Sequence, residues 1–306
     1  MRIWGEAVVQ LGLLLGLAPL VNGFIQRVKA AFQGRHGPSV LQPYFTLRKL
    51  WRRQDLRPQA STWLFATAPR LALSIALAAG IGIPLLWYPA PVGWGGDFII
   101  VVGLLALERF VLALAALDTA TPFGGLGSSR EVTVGAMVEP ALFAIALPWM
   151  LMAGGTSWAM LITASASIAP LDLVRFFALV AAVIVCLAET GRLPVDNPDT
   201  HLELTMIHEA MLLEYSGPQL AMASLAQMVK QLLLVAMVTD LLLPWRWGGP
   251  LAQVGISILL WFAAAFGLAV AESVSAKLRF FRLPAYLGTA VILSSAAAAL
   301  QLWGGR

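Results

Sequence analysis

The chain has 306 residues, 59% of them hydrophobic and only 12% charged, with a mean hydropathy of +0.80. A soluble domain carries roughly 25% charged residues, so these figures exclude an ordinary soluble protein, and they equally exclude a disordered chain. The net charge of +4 sits in clusters that read as orientation signals, not as a nucleic-acid-binding face, and the single cysteine, Cys186, excludes internal disulfides and any cysteine set for an iron–sulfur cluster or structural zinc.

Residues 4–25 form a first apolar span, about as long as roughly 30 Å of hydrocarbon requires. Only Arg2 precedes Glu6 and no small-residue cleavage site closes the run, so it reads as a retained helix and not a signal peptide. The segment 26–58 then carries eight bases: Arg27, Lys29, Arg35, Arg48, Lys49, Arg52, Arg53 and Arg57. Its middle, LQPYFTLRKLW, spaces apolar and basic residues as an amphipathic helix lying in a membrane interface would. Further spans are predicted at 63–87, 98–117, 133–153, 172–190, 219–243, 254–273 and 285–303, which makes eight.

The loops 26–58, 118–132, 191–218 and 274–284 hold thirteen Lys or Arg, against four on the opposite side. The bias predicts that this face is cytoplasmic and that both termini lie outside, with Trp87, Trp94, Trp158, Trp245, Trp247 and Trp303 as anchors near the outer span ends. No linker-like shift divides 1–306, which reads as one all-α membrane domain, and no internal repeat supports an inverted-repeat transporter.

Ionisable residues inside spans are costly unless paired or hydrated. They are Glu108, Arg109, Glu139, Glu189, Lys230, Asp240 and Glu272. Asp240, Glu189 and Glu272 lie near span ends, where a side chain can reach the interface. Lys230, Glu108 and Arg109 are mid-span, where a buried pair or a hydrated proton path is the better account. Between spans three and four, GGLG lacks the Gly-Lys-Ser/Thr of a phosphate loop and reads as a flexible turn before a helix starting near Ser128. That placement sets Arg130 and Glu131 at the rim and Glu139 at least two turns into the helix.

The loop 190–218 is the acidic counterpart of 26–58. With Glu189 it carries Asp196, Asp199, Glu203, Glu209 and Glu214, together with His201 and His208, against one base, Arg192. Pro194 and Pro198 break the preceding helix, and Asp199 or Thr200 can cap a short one over His201–Leu213. HEAML is not a zinc-binding H-E-x-x-H, because position 212 is Leu. A proton relay or a docking surface fits this composition.

Several motifs together resemble the H-type membrane subunit of respiratory complex I. They are Glu189-Thr190-Gly191-Arg192-Leu193-Pro194-Val195-Asp196 after span five, Glu214-Tyr215-Ser216-Gly217, Arg35-His36-Gly37-Pro38 with Leu41-Gln42 after span one, and Arg130 followed by Glu139 at span four. The short segment Gly37–Leu41 and the island NPDTHLELTMIHEAMLLEYSG are more similar to the branch found in group 4 membrane-bound [NiFe] hydrogenases, the formate hydrogenlyase subunit 4 and hydrogenase-4 component C type.

This resemblance implies a non-catalytic anchor in the cytoplasmic (inner) membrane, with no redox cofactor of its own. Iron–sulfur clusters and a [NiFe] centre are expected in partner subunits of a cytoplasmic arm, and antiporter-like membrane subunits are expected beside it. Proton coupling falls to Glu108, Glu139, Glu189, Asp196, Glu203, Glu209, Glu214, Lys230 and Glu272. Contact with the arm falls to Arg35, Arg48, Lys49, Arg130, Arg192, His201, His208 and Tyr215. The alternatives are a quinone-chamber subunit of a complex I-type oxidoreductase and a free-standing ion-coupled transporter.

Overall fold

The computed structural model describes residues 2–85, 96–168, 172–196, 206–242 and 250–304. They form eleven α-helices: α1 (Arg2–Phe32), α2 (Gln42–Trp51), α3 (Trp63–Gly82), α4 (Phe98–Asp118), α5 (Pro122–Ala153), α6 (Trp158–Ser167), α7 (Leu173–Glu189), α8 (His208–Leu212), α9 (Gly217–Leu242), α10 (Pro250–Val274) and α11 (Leu283–Gly304). No strand occurs among the described residues, only an isolated bridge between Asp97 and Ser157. Seven helices (α1, α3, α4, α5, α9, α10 and α11) are long and apolar enough to cross a membrane. The eighth expected span is α7, whose 17 residues rise about 25 Å. The protein is an all-α, polytopic membrane protein.

The helices pack one on the next in the order α11, α5, α4, α3, α9, α1, α10, and α7, which touches α5, α9, α10 and α11, bridges the two ends of that series. A core of Leu14, Ile25, Phe98, Leu105, Trp149, Trp158, Leu161 and Leu187 fills the contacts. Two apolar-to-polar junctions close the ends. At one end, Phe98 N donates to Thr156 O (3.0 Å) and Trp158 N to Gly96 O (2.8 Å), and the Arg175 guanidinium donates to Ser165 O, Ile168 O and Leu242 O, satisfying carbonyls left open where α6 and α9 stop. At the other end, Asp118 accepts from Thr62 N (2.7 Å) and Phe65 N (3.3 Å), capping α3 from the last residue of α4. Ser216 and Gln219 bond Leu56 and Asp55, and Leu278 N donates to Pro194 O (2.9 Å), so the basic and acidic loops share this end.

Several expectations need correction. α1 does not stop at residue 25. Nothing in QRVKAAF breaks a helix, and the last turns run on to Phe32. The supposed turn at GGLG is helix: Thr121 caps it through Gly124 N (3.3 Å), Pro122 sits in the first turn, and α5 starts six residues before Ser128. Gly127 is required there by contact rather than by flexibility, because a Cβ would come within 2.8 Å of Ala210 Cβ on α8. α6 was not expected at all. Trp158 is no interfacial anchor, because the Asp97–Ser157 bridge turns it inward onto Phe98, where it is 1% exposed. The short helix of the acidic loop is described only over His208–Leu212: Asp196 caps it, accepting from Ile207 N (2.9 Å) and His208 N (3.3 Å). Trp87, Trp94, Trp245, Trp247, His201 and Glu203 lie outside the described residues. The amphipathic helix expected around LQPYFTLRKLW is α2.

Asp118→Ala removes the acceptor for Thr62 N and Phe65 N and leaves α3 with the Thr62 side-chain cap alone, and a loss of about 1 kcal/mol is expected. A lowered midpoint in detergent-denaturant unfolding of the purified protein checks it, and an unchanged midpoint would assign the cap to solvent.

Candidate functional site: a buried charge network

The site begins with two adjacent residues in the middle of α4. Glu108 is 1% exposed and Arg109 5% exposed, inside a helix otherwise made almost wholly of Leu, Val, Ala and Ile. Neighbouring residues on a helix point about 100° apart, so the two charges face different partners. Glu108 Oε2 meets Lys230 Nζ of α9 at 3.1 Å. Lys230 also reaches Glu189 Oε1, at the end of α7, at 2.8 Å. Arg109 takes three carboxylates: Nη2 on Glu189 Oε2, Nη1 on Glu139 Oε1 at 3.2 Å, and Nε beside Glu131 Oε1 at 3.3 Å.

α5 is shaped for this. Glu131, Gly135 and Glu139 fall four residues apart, and the guanidinium crosses the helix at Gly135, where a Cβ would overlap Arg109 itself. The resulting chain runs Glu139–Arg109–Glu189–Lys230–Glu108, with Glu131 alongside and His208 Nδ1 at 4.0 Å from it. Four carboxylates face two cations, so the set has room for exchangeable protons. Every member is almost enclosed except Glu139, whose side chain is 39% exposed on the outer side of α5.

A second network lies one residue along α9. Gln231 Oε1 accepts from Asn22 Nδ2 (2.9 Å) of α1 and Arg192 Nη2 (3.1 Å). Arg192 Nη1 bonds Glu272 Oε2 (2.9 Å) on α10, and Glu272 Oε1 bonds Lys29 Nζ (2.7 Å) on α1. These groups wall a cavity of about 760 Å³ whose lining also includes Arg35, His36, Asp196, His208 and Glu209.

Of the residues singled out in the sequence, Glu108, Glu139, Glu189 and Lys230 meet in the first network, and Glu272 and Arg192 in the second. Arg192 and Tyr215, expected at a partner surface, are buried inside the chain. Tyr215 stacks on Phe65 (4.0 Å, 4°) and donates to Phe65 O (3.1 Å). Burial first, then nearby Asp118, raises its pKa above the ordinary tyrosine range, so it stays a neutral donor. Asp196 is a cap, with Lys277 at 3.8 Å. Arg130 donates to Met206 O (3.1 Å), a carbonyl of the acidic loop and not one of its acids. Glu214 stands apart in the turn after α8. Arg35, Arg48 and Lys49 are exposed, and His208 is half-buried. Sequence reasoning marked Arg109 only as a mid-span charge without naming its partners, placed Glu131 only at the rim, and gave no role to Lys29 or Gln231. The Glu131-Gly135-Glu139 spacing was the available signal for the first two.

The chain matches the NADH dehydrogenase family over residues 6–303. It belongs to that family. Hydrogenase-4 component C of Escherichia coli (strain K12) is 36% identical over 78% of this chain and 75% of its own length. Formate hydrogenlyase subunit 4 of the same strain is 31% identical over 89% and 90%. A chain in the membrane-bound sulfane sulfur reductase, an archaeal respiratory membrane complex, has the same fold: the TM-score is 0.85 at 18% identity, covering 98% of this chain and 100% of that one. The family member described here is thus a multi-pass membrane protein whose relatives are subunits of oxidoreductase complexes.

Lys230→Gln strips Glu108 of its only ion-pair partner among the described residues, and destabilisation of about 3–5 kcal/mol is expected. Glu108→Gln/Lys230→Gln, which also removes the carboxylate left without its ammonium and keeps Glu189 on Arg109, should recover much of it. Unfolding midpoints of both variants check the coupling, and a double variant no more stable than the single one would refute it.

Proposed function

We propose that this chain is the membrane anchor and proton-coupling subunit of a hydrogenase- or formate hydrogenlyase-type complex. The observation that carries the reading is the unbroken run of charge from the part-exposed Glu139 through the buried Arg109, Glu189 and Lys230 to Glu108. Paired charges inside an apolar bundle cost several kcal/mol in desolvation, and for stability alone an apolar packing would serve as well. Carboxylates in excess of cations give the protein something apolar packing does not: groups that gain and lose protons away from bulk water.

The set meets its surroundings at two places that differ in a way that suits transfer, one beside Glu131 and His208 and the other at Glu139. Towards α8 the cavity with Arg192, Asp196, His208 and Glu209 provides polar contact with the end of the molecule that carries the basic and acidic loops. At the other place Glu139 presents its carboxylate sideways from α5, about half-way along that helix. A carboxylate turned towards lipid is unstable there, which supports a neighbouring membrane subunit, of the antiporter-like kind, that receives the proton at this face. A change of charge in an iron–sulfur subunit seated over the cavity would alter the proton affinity of the nearest carboxylates, and Lys230 and Arg109 would pass that change along the run. In this reading the loop-bearing end faces the cytoplasm, the membrane is the inner one, and the iron–sulfur clusters and the [NiFe] centre reside in the soluble partners.

Purification of the complex through a tag on this chain tests the assignment. A co-purifying large subunit with two C-x-x-C pairs and hydrogen evolution from a reduced donor is expected. A large subunit without those cysteines, with bound quinone, would replace the reading by the quinone-chamber one, and recovery of the chain alone would replace it by a transporter. Within an intact complex, Glu139→Gln should lower proton translocation per turnover in liposomes severalfold while the soluble subunits stay bound. Normal pumping by that variant would remove Glu139 from the path.

A further inference from the structure

Helix α2 carries a site that the charge networks do not use. Phe45, Arg48, Lys49, Arg52 and Arg53 follow the spacing i, i+3, i+4, i+7, i+8, which places them on one side of the helix and its C-terminal turn, and together they line an open pocket of about 380 Å³. All five are exposed. None of the four cations has an acid within ion-pair distance or a side-chain hydrogen bond among the described residues. The nearest acid in sequence, Asp55, is taken by Arg57 (3.0 Å) and Gln219 (2.9 Å). Four positive charges within one and a half turns repel one another. Two of them suffice to complement the negative C-terminal end of a helix, so the arrangement asks for an external anion.

The depth of α2 identifies that anion. The helix lies against α1 and α9, and the Tyr44 hydroxyl donates to Gly16 O in the middle of the α1 span. Val40 and Pro43 pack against Gly23, the Tyr44 side chain runs along the exposed flank of α1, and α1 continues to Phe32, so α2 lies beside the C-terminal half of a helix long enough to cross the membrane. Large apolar side chains border the basic face on the same end of the protein: Phe45 is 55% exposed, Trp51 57%, Leu56 66% and Trp63 74%. A surface that alternates cations with exposed aromatic rings matches a phosphate above an acyl chain. An acidic protein surface would account for the cations alone and leave the apolar side chains in water.

We propose that the face formed by Phe45, Arg48, Lys49, Arg52 and Arg53 binds the headgroup of an anionic phospholipid. The arginine and lysine groups take the phosphate oxygens, and Phe45 lies along the glycerol and first methylenes. The inference needs only that the chain spans a membrane, and it stands or falls separately from the hydrogenase reading. It also reassigns Arg48 and Lys49, expected from the sequence to touch a soluble subunit.

The test uses the whole complex, purified through this chain into nanodiscs of equal parts phosphatidylcholine and phosphatidylglycerol, with retained lipids counted by native mass spectrometry. Retention of phosphatidylglycerol over phosphatidylcholine is expected, and Arg52→Gln/Arg53→Gln should weaken it roughly tenfold to thirtyfold. Equal retention of both lipids would overturn the proposal. So would displacement by millimolar inorganic phosphate, which would mark a free-anion site, or a variant that loses soluble subunits while keeping its lipid, which would mark a protein interface. Should the variant fail to assemble, photoreactive phosphatidylglycerol in the unaltered complex decides the matter: crosslinks at 45–53 support the site, and crosslinks confined to other segments overturn it.

Discussion

An arginine held in the middle of an apolar helix bundle is the constraint from which the arrangement follows. Arg109 cannot lose its charge at any physiological pH, so the bundle must bring acids to it. It does so from two helices: Glu131 and Glu139 from α5 and Glu189 from α7. That requirement fixes the register of α4 against α5, demands the missing side chain at Gly135, and sets where α7 ends. Lys230 then serves Glu189 and Glu108 together, which ties α9 to the same point. Four helices converge because one guanidinium has to be neutralised.

The second network repeats the logic with the signs reversed. Glu272 is enclosed, and two cations from opposite sides, Lys29 on α1 and Arg192 on the loop after α7, take one oxygen each. Lys230 and Gln231 are consecutive on α9, so the two networks are joined through a single peptide unit while facing different sides of that helix. The cavity opens beside the second network. The cavity wall therefore touches both sets, the second through Glu272, Arg192 and Gln231 and the first through His208 beside Glu131.

How much of this was legible in the sequence depended on whether a local pattern carried the information. Span positions were readable because hydropathy is local, and α2 because its apolar and basic residues alternate with a helical period. The start of α5 was misread because three glycines within six residues look like a turn, whereas Thr121-Pro122 caps the helix, Gly124 serves contact with the end of α4 and Gly127 contact with α8. Glu108 and Lys230 stood out as isolated charges. Their pairing lay 122 positions apart, and a single sequence carries no signal for such contacts. Arg192 and Tyr215 were placed on a surface because they sit in a polar loop. The loop folds them back, one onto Glu272 and the other onto Phe65.

The long sequence separation of these pairs has a consequence for biosynthesis. Arg109 waits for Glu189, 80 residues later, and Glu108 for Lys230, 122 residues later. At 5–20 residues per second the second interval is roughly 6–24 s. During it α4 carries two charges through the insertion machinery with no finished bundle to receive them, and only its neighbour Glu131, followed by Glu139, emerges soon afterwards. The early α4–α5 hairpin, with Arg109 laid over Gly135 between those two acids, is therefore the smallest unit that can leave the translocon without exposing a bare cation to lipid.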